Sequence, residues 1–159
     1  MDARLITLKL FLDELELDPD ISTVQNRKQF QKAVFLGQMA DIDLGYRYGW
    51  YLMGPYSSSL TRDYYELDEA LSVDDDLHAY SLNPVTKAAL SKIKPMFEVP
   101  KGVKLEKPEW LELLSSILFL KKISKLKAKD IKQRIKEEKG NLVKYVGTAN
   151  KVLKEMKLT

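Results

Sequence analysis

The most constraining feature of the sequence is a nearly unbroken apolar run from Trp110 to Leu120. It predicts a helix from Glu109 to about Ser124 whose apolar side chains cover most of its circumference, unlike the single stripe of a surface helix. The run is shorter than the ~20 apolar residues of a membrane span, and Glu112, Ser115 and Ser116 interrupt it. The sequence therefore predicts a central helix that other elements surround.

Apolar residues spaced three and four apart predict six further helices around this one. Asn26 is the expected N-cap of the second helix, and the serines at 57–59 supply the cap of the third. Asn83 is expected to cap the fourth, in which Pro84 takes the first helical position and Val85 is buried. The predicted ranges are 3–17, 26–41, 57–71, 83–97, 127–139 and 142–157.

One aromatic segment breaks the helical period. The segment Tyr46–Leu52 is rich in aromatic residues that roughly alternate with others, a pattern that predicts a strand. Gly54 and Pro55 are expected to end this strand. His78–Leu82 is predicted as a second short strand that pairs with the first to form a wing. The predicted fold class is therefore mainly α with a small two-stranded β wing, in a single domain over residues 1–159. We expect a winged-helix-like N-terminal lobe, 1–98, and a helical C-terminal lobe, 99–159.

Charge divides the chain into an acidic half and a basic half. Residues 1–80 hold 7 Lys and Arg against 15 Asp and Glu, whereas residues 81–159 hold 19 against 8, and the net charge is +3. Such asymmetry is typical either of a surface that faces nucleic acid or of two halves that attract each other. We favour solvated helix faces with some internal pairing and keep the nucleic-acid explanation open.

Composition also limits the chemistry and the expected location. The absence of cysteine excludes disulfides and thiolate chemistry, and the acids among the first apolar residues argue against a signal peptide. We therefore expect a cytoplasmic protein. The single histidine, His78, lies beside Asp74–Asp76 and lacks the partners of a triad or a histidine zinc site, so it is expected to be exposed. We predict no catalytic residue, no metal and no cofactor.

Four segments, in this order and spacing, resemble the YwgA-like bacterial proteins, which are distant relatives of the Panacea domain of antitoxins. The segments are Arg27–Leu36, Tyr48–Leu60 around Gly-Pro-Tyr-Ser, Trp110–Phe119 and Lys139–Met156. The resemblance implies a helical fold with a small winged-helix-like β element, and a regulatory or toxin-neutralising role that extends to phage defence. It implies no catalytic residues.

The residues that best suit a binding surface are basic side chains near the aromatic segment. Phosphate groups and acidic partners attract such side chains. The candidates for binding nucleic acid or a partner are Arg27, Lys28, Lys32, Arg47 and Arg62.

The turn formed by Gly54, Pro55, Tyr56 and Ser57 has two interpretations. We favour a structural role, in which glycine and proline make the turn and serine caps the next helix. In the alternative, backbone N–H groups at that helix start bind a phosphate or carboxylate, although the second glycine and the lysine of a phosphate loop are absent. The tyrosines around the turn are expected mainly in the core, with base stacking or partner anchoring as the alternative.

The leading functional hypothesis is a non-enzymatic regulatory or antitoxin-like module. It would bind a protein partner, and nucleic acid through the wing and the basic face of the second helix. The alternative is a small nucleotide-binding effector or enzyme that uses the aromatic surface around Gly54–Ser57. The sequence leaves the oligomeric state open and predicts no membrane association.

Overall fold

The computed structural model describes all 159 residues and contains seven α-helices and one two-stranded sheet. A 3₁₀ turn follows α4 at Lys94–Phe97, a π-helical turn extends α5 over Phe119–Ile123, and a 3₁₀ turn at Val143–Tyr145 precedes α7. The elements are α1 (Ala3–Glu14), α2 (Val24–Met39), β1 (Gly49–Tyr51), β2 (Gly54–Tyr56), α3 (Ser58–Val73), α4 (Pro84–Ile93), α5 (Lys107–Leu118), α6 (Ala128–Glu138) and α7 (Val146–Glu155).

The predicted central helix is α5, and every residue from Trp110 to Leu120 is buried. A capping box formed by Glu106 and Glu109 starts this helix. Its most extensive contact is with α2, and the Trp110 indole N–H donates to the Met96 carbonyl at 2.8 Å. Because apolar residues cover most of the circumference of α5, with Glu112, Ser115 and Ser116 as the buried polar exceptions, other elements can pack around it on several sides.

Replacing Leu114 on this helix should lower the free energy of unfolding strongly. Leu114 is fully buried in the core, so Leu114→Ala leaves a cavity that its tightly packed neighbours fill only in part. We expect a loss of about 3 kcal/mol in urea denaturation. Leu52→Ala, at a side chain that is 90% exposed, is the matched control and should change stability by less than about 0.5 kcal/mol.

The wing is a tight hairpin, and its second strand was predicted in the wrong place. β1 pairs antiparallel with β2, and Gly49 faces Tyr56 across the pair. Gly54 and Pro55, expected to end the first strand, belong to the second strand of the hairpin, where the two-stranded sheet tolerates a proline. The predicted strand at 78–82 is irregular, because the hairpin closes across only two residues and needs no distant partner.

Several helix boundaries also differ from the prediction. Thr23, and not Asn26, caps α2, because the Thr23 hydroxyl accepts from the Asn26 backbone N–H. Ser57 and Asn83 cap α3 and α4 as predicted. Val85 lies on the outer face of α4 and is 80% exposed, so its predicted burial is wrong.

One cluster of 35 buried apolar side chains forms the core and includes residues from both predicted lobes. The lobe boundary near residue 98 stays a prediction. No helix combines the length and the apolar character that crossing a membrane would require.

Candidate functional site

Three lysines and one glutamate meet beneath the hairpin, and we call them the lysine cluster: Lys28, Lys32, Lys139 and Glu112. The Glu112 carboxylate lies 2.8 Å from the Lys28 ammonium and 2.7 Å from that of Lys139. These three side chains are at most 9% exposed, and Lys32 as a whole is 2% exposed. The cluster therefore carries more buried positive charge than its single carboxylate can neutralise.

Lys32 is the member without a carboxylate partner at salt-bridge distance. Its ammonium donates to the Pro55 carbonyl at 2.5 Å. Burial lowers the pKa of Lys32 from 10.5 to about 7, and the nearby charges of Lys139 and Lys28 act in the same direction. The charge of Glu112 opposes this shift without cancelling it.

The lysine cluster also fixes the hairpin. Lys139 donates to the carbonyl of Leu52 in the turn at 3.1 Å, while Lys32 donates to the carbonyl of Pro55 in β2. Gly54 has φ +87° and lies directly over Ser116, whose buried hydroxyl has no hydrogen-bond partner. The hairpin is thus positioned by side chains that come from α2, α5 and the end of α6.

Gly54→Ala should destabilise the protein by about 2 kcal/mol or more. A β-carbon at this position would lie 2.6 Å from the Ser116 hydroxyl, and the left-handed backbone itself costs about 1–2 kcal/mol for alanine. Gly45 has a similar φ of +79° but open space around it, so Gly45→Ala separates the backbone cost from the clash. Equal losses for the two variants in urea denaturation would contradict the close packing at Gly54.

A cavity of about 410 Å³ opens between α2, the hairpin and α3, and we call it the hairpin pocket. Arg27, Lys28 and Lys32 bring basic groups to it, and four tyrosines add aromatic rings. This combination suits a small anion that carries an aromatic ring. The lining residues are Val24, Arg27, Lys28, Gln31, Lys32, Tyr51, Leu52, Met53, Gly54, Tyr56, Thr61, Tyr64 and Tyr65.

Three of the five predicted basic residues meet at this pocket. Lys28 and Lys32 are held inward, and Arg27 is half-buried with its guanidinium donating to the Ile21 carbonyl at 2.8 Å. Arg47 and Arg62 are exposed and do not line the pocket. The basic residues of α2 therefore point toward a cavity and do not form an open charged face.

Of the structural role expected for Gly54–Ser57, the Ser57 cap is confirmed, whereas Gly54 and Pro55 lie in β2 and the turn is formed by Leu52 and Met53. The Ser57 hydroxyl caps α3 by accepting from the Leu60 backbone N–H at 3.2 Å. The buried amide of Gln31 accepts from the Ser57 backbone N–H and donates to the Ser57 carbonyl, both at 2.9 Å. The motif also contributes to the pocket, because Gly54 and Tyr56 line it.

The tyrosines divide into structural and pocket groups. Tyr48 donates to the Gln31 carbonyl at 2.9 Å, and burial raises its pKa well above the usual value. Tyr46 donates to Asp63 at 2.7 Å, and burial together with that hydrogen bond raises its pKa as well. Tyr51 and Tyr65 are half-exposed at the pocket mouth, so they are the rings that a ligand can reach.

Three other features of the molecule are weaker candidates for a catalytic, metal or ligand site. His78 is exposed, as predicted, and pairs with Asp76. No three His, Cys, Asp or Glu side chains come together as a metal site would require. A groove of about 860 Å³ beside α4 is larger than the hairpin pocket, but its three lysines, Lys92, Lys122 and Lys157, are all exposed.

Sequence reasoning missed Glu112, Ser116 and Lys139 as parts of the site. The available signal was that Glu112 and Ser116 interrupt the most apolar run of the chain, where an unpaired charge is costly. Lys139 gave no such signal, because it follows a helix rich in exposed lysines.

Comparison of the chain with protein-family models, with curated proteins and with solved structures finds no match.

Proposed function

We propose that the protein is a binding module for a small organic anion, which it holds in the hairpin pocket. The observation that carries this proposal is the buried Lys32 ammonium at the inner wall of a cavity, with a neutral carbonyl as its hydrogen-bond partner. Burying a cation in this way is costly unless an anion compensates it. A bound anion would supply that compensation.

The same geometry favours a small ligand over a long nucleic-acid backbone. Proteins that bind duplex phosphates present basic side chains on an accessible surface. Lys28 and Lys32 are instead withdrawn behind the hairpin and partly engaged by Glu112. The geometry therefore favours the small-ligand alternative over binding of nucleic acid through the wing and the basic face of α2.

Ligand-induced thermal stabilisation tests this proposal. We would measure the shift in melting temperature with inorganic phosphate, pyrophosphate, phenyl phosphate and benzoate, because a ligand that binds only the folded state stabilises it. At least one anion should raise the melting temperature of the wild type and not that of Lys32→Met. Lys87→Met, at an exposed lysine on α4, is the matched control and should respond as the wild type does. No shift with any of the four anions would contradict the proposal.

A second candidate is the regulatory, antitoxin-like module that binds a protein partner in the cytoplasm. The exposed apolar tip of the hairpin favours it, because Leu52 is 90% exposed and Tyr51 and Met53 beside it are also exposed. We propose that a partner with an apolar pocket receives Leu52. A purified partner should lose affinity for Leu52→Asp and keep it for Val85→Asp, a matched change on another face. Equal effects of the two changes would remove the tip from consideration.

A further inference from the structure

We propose that the ligand of the hairpin pocket is a nucleotide with a terminal phosphate monoester, whose phosphate binds Lys28, Lys32 and Arg27 and whose base stacks on Tyr51 or Tyr65. This inference rests on the proposed anion-binding function and names the chemical class of the anion. Free mononucleotides and the 5′-phosphorylated end of a nucleic-acid strand share this chemistry.

The charge of the lysine cluster matches a phosphate monoester better than a carboxylate. Three lysines face one glutamate, which leaves two positive charges uncompensated when all three lysines are protonated. A phosphate monoester carries about −1.5 to −2 at pH 7, whereas a carboxylate carries a single negative charge. Arg27 at the pocket adds a planar group that suits two phosphate oxygens.

The depth of Lys32 selects a terminal phosphate over an internal one. Lys32 is 2% exposed and lies behind the hairpin, so a phosphate reaches it only by entering the pocket. An internal phosphodiester is attached to a nucleotide on each side, and both flanking nucleotides would have to fit through the mouth of the pocket. A terminal phosphate has a single attachment, so the remainder of the ligand extends outward.

The aromatic rings are placed to receive a base at the mouth. Tyr51 packs on Tyr56 with ring centroids 5.1 Å apart, and Tyr65 packs on Tyr64 at 5.3 Å. These pairs support the two half-exposed rings, so each offers a fixed face for stacking. Base–aromatic stacking is worth about 1–3 kcal/mol and accepts any base.

The polar groups near the rings leave few free donors and acceptors for hydrogen bonds to the edge of a base. The Gln31 amide is occupied by Ser57 and Thr61, and the Thr61 hydroxyl contacts Tyr56. Specific recognition of one base requires free donors and acceptors at its edge. We therefore expect the four common nucleotides to bind with affinities within about tenfold of one another, because stacking does not depend on hydrogen-bond readout.

Isothermal titration calorimetry tests the class of ligand. The probes are the four nucleoside 5′-monophosphates, the corresponding nucleosides, inorganic phosphate and benzoate. Monophosphates should bind at least tenfold more tightly than both nucleosides and phosphate. Monophosphates that bind no better than inorganic phosphate would overturn the nucleotide proposal while leaving anion binding intact. Binding of benzoate alone would overturn the phosphate assignment, and no binding of any probe would overturn the proposed function itself.

A pair of oligonucleotides distinguishes the two sources of the phosphate. A short single strand with a 5′-phosphate is compared with the same strand carrying a 5′-hydroxyl. Tighter binding of the phosphorylated strand than of the mononucleotide identifies a strand end as the ligand, and the reverse order identifies a free nucleotide. Equal binding of both strands, tighter than that of any mononucleotide, would overturn the terminal-phosphate proposal.

Variants test which residues bind the phosphate and which bind the base. Lys32→Met should abolish binding of the monophosphates, whereas Tyr51→Ala and Tyr65→Ala, separately and together, should weaken it without affecting inorganic phosphate. Tyr80→Ala, at a half-exposed ring outside the pocket, is the matched control. Unchanged affinity in Lys32→Met would overturn the proposal. Circular dichroism and the urea midpoint of each variant confirm that it folds.

Discussion

Glu112→Gln should lower the free energy of unfolding by about 4 kcal/mol at pH 7. The substitution keeps the shape of the side chain but removes the only carboxylate that contacts the buried ammoniums of Lys28 and Lys139. Removing one partner of a buried ion pair leaves the other charge uncompensated and costs about 3–5 kcal/mol. Urea denaturation of the purified variant measures the loss directly.

Two further substitutions establish that buried charge is the cause. Glu66→Gln removes an exposed carboxylate that pairs with Arg4, and it should cost less than about 1 kcal/mol. Adding Lys139→Met to Glu112→Gln removes one of the uncompensated ammoniums and should restore part of the lost stability. A Glu112→Gln variant within 1 kcal/mol of the wild type would show that water reaches the lysine cluster.

The sequence predicted the helical part of the fold well, because each signal was local. Ser57 and Asn83 cap their helices, and the run from Trp110 to Leu120 is central and buried. These features depend on residues within one or two turns of each other. Val85 is the instructive exception, since the helical period fixes which residues share a face but not which face meets the core.

The hairpin and the site were harder to predict because both depend on distant residues. Lys32 and Pro55 are 23 positions apart, and Lys139 and Leu52 are 87 apart. In the sequence, Gly-Pro after the first strand predicts the end of that strand. The lysines that hold a second strand there are too distant in sequence to reveal it. Lys28 and Lys32 were identified as binding candidates from charge alone, but Glu112, which orients Lys28, was found only in the structure.

Lys32→Met should make the protein more stable near neutral pH. The side chains are similar in length, and methionine avoids the cost of burying a charge at a position that is 2% exposed, a gain that outweighs the lost hydrogen bond to the Pro55 carbonyl. The gain should be largest at pH 6, where Lys32 is protonated in both the folded and the unfolded states.

The sign of the pH dependence follows from the two pKa values of Lys32. Burial lowers the pKa from 10.5 in the unfolded chain to about 7 in the fold. Between these values the unfolded chain holds a proton that the folded protein has released, so this group's contribution to stability rises with pH. The advantage of Lys32→Met should therefore shrink by about 4 kcal/mol between pH 6 and pH 10, at about 1.4 kcal/mol per pH unit.

Comparing the stability of the wild type with that of Lys32→Met across pH separates the titration of Lys32 from that of its neighbours. The charged groups near it are Glu112 on α5, Lys28 and Arg27 on α2, and Lys139 after α6. All of them remain in Lys32→Met, so their own titration cancels to first order in the difference. Urea denaturation at pH 6, 7, 8, 9 and 10 gives that difference. A constant difference would show that Lys32 keeps an ordinary pKa.

In the proposed function, the stability that Lys32 costs and the anion binding that it would support are two effects of one buried charge. The negative charge of a bound phosphate would raise the pKa of Lys32 again, so binding would take up a proton at a pH where the free protein has released it. Affinity for a nucleoside monophosphate should fall by about tenfold per pH unit above 7. Below about pH 6 the phosphate itself loses charge, so affinity should be greatest between these values. Calorimetry in two buffers with different ionisation enthalpies measures the proton uptake. Zero uptake at pH 8 would contradict a contact between Lys32 and the bound phosphate.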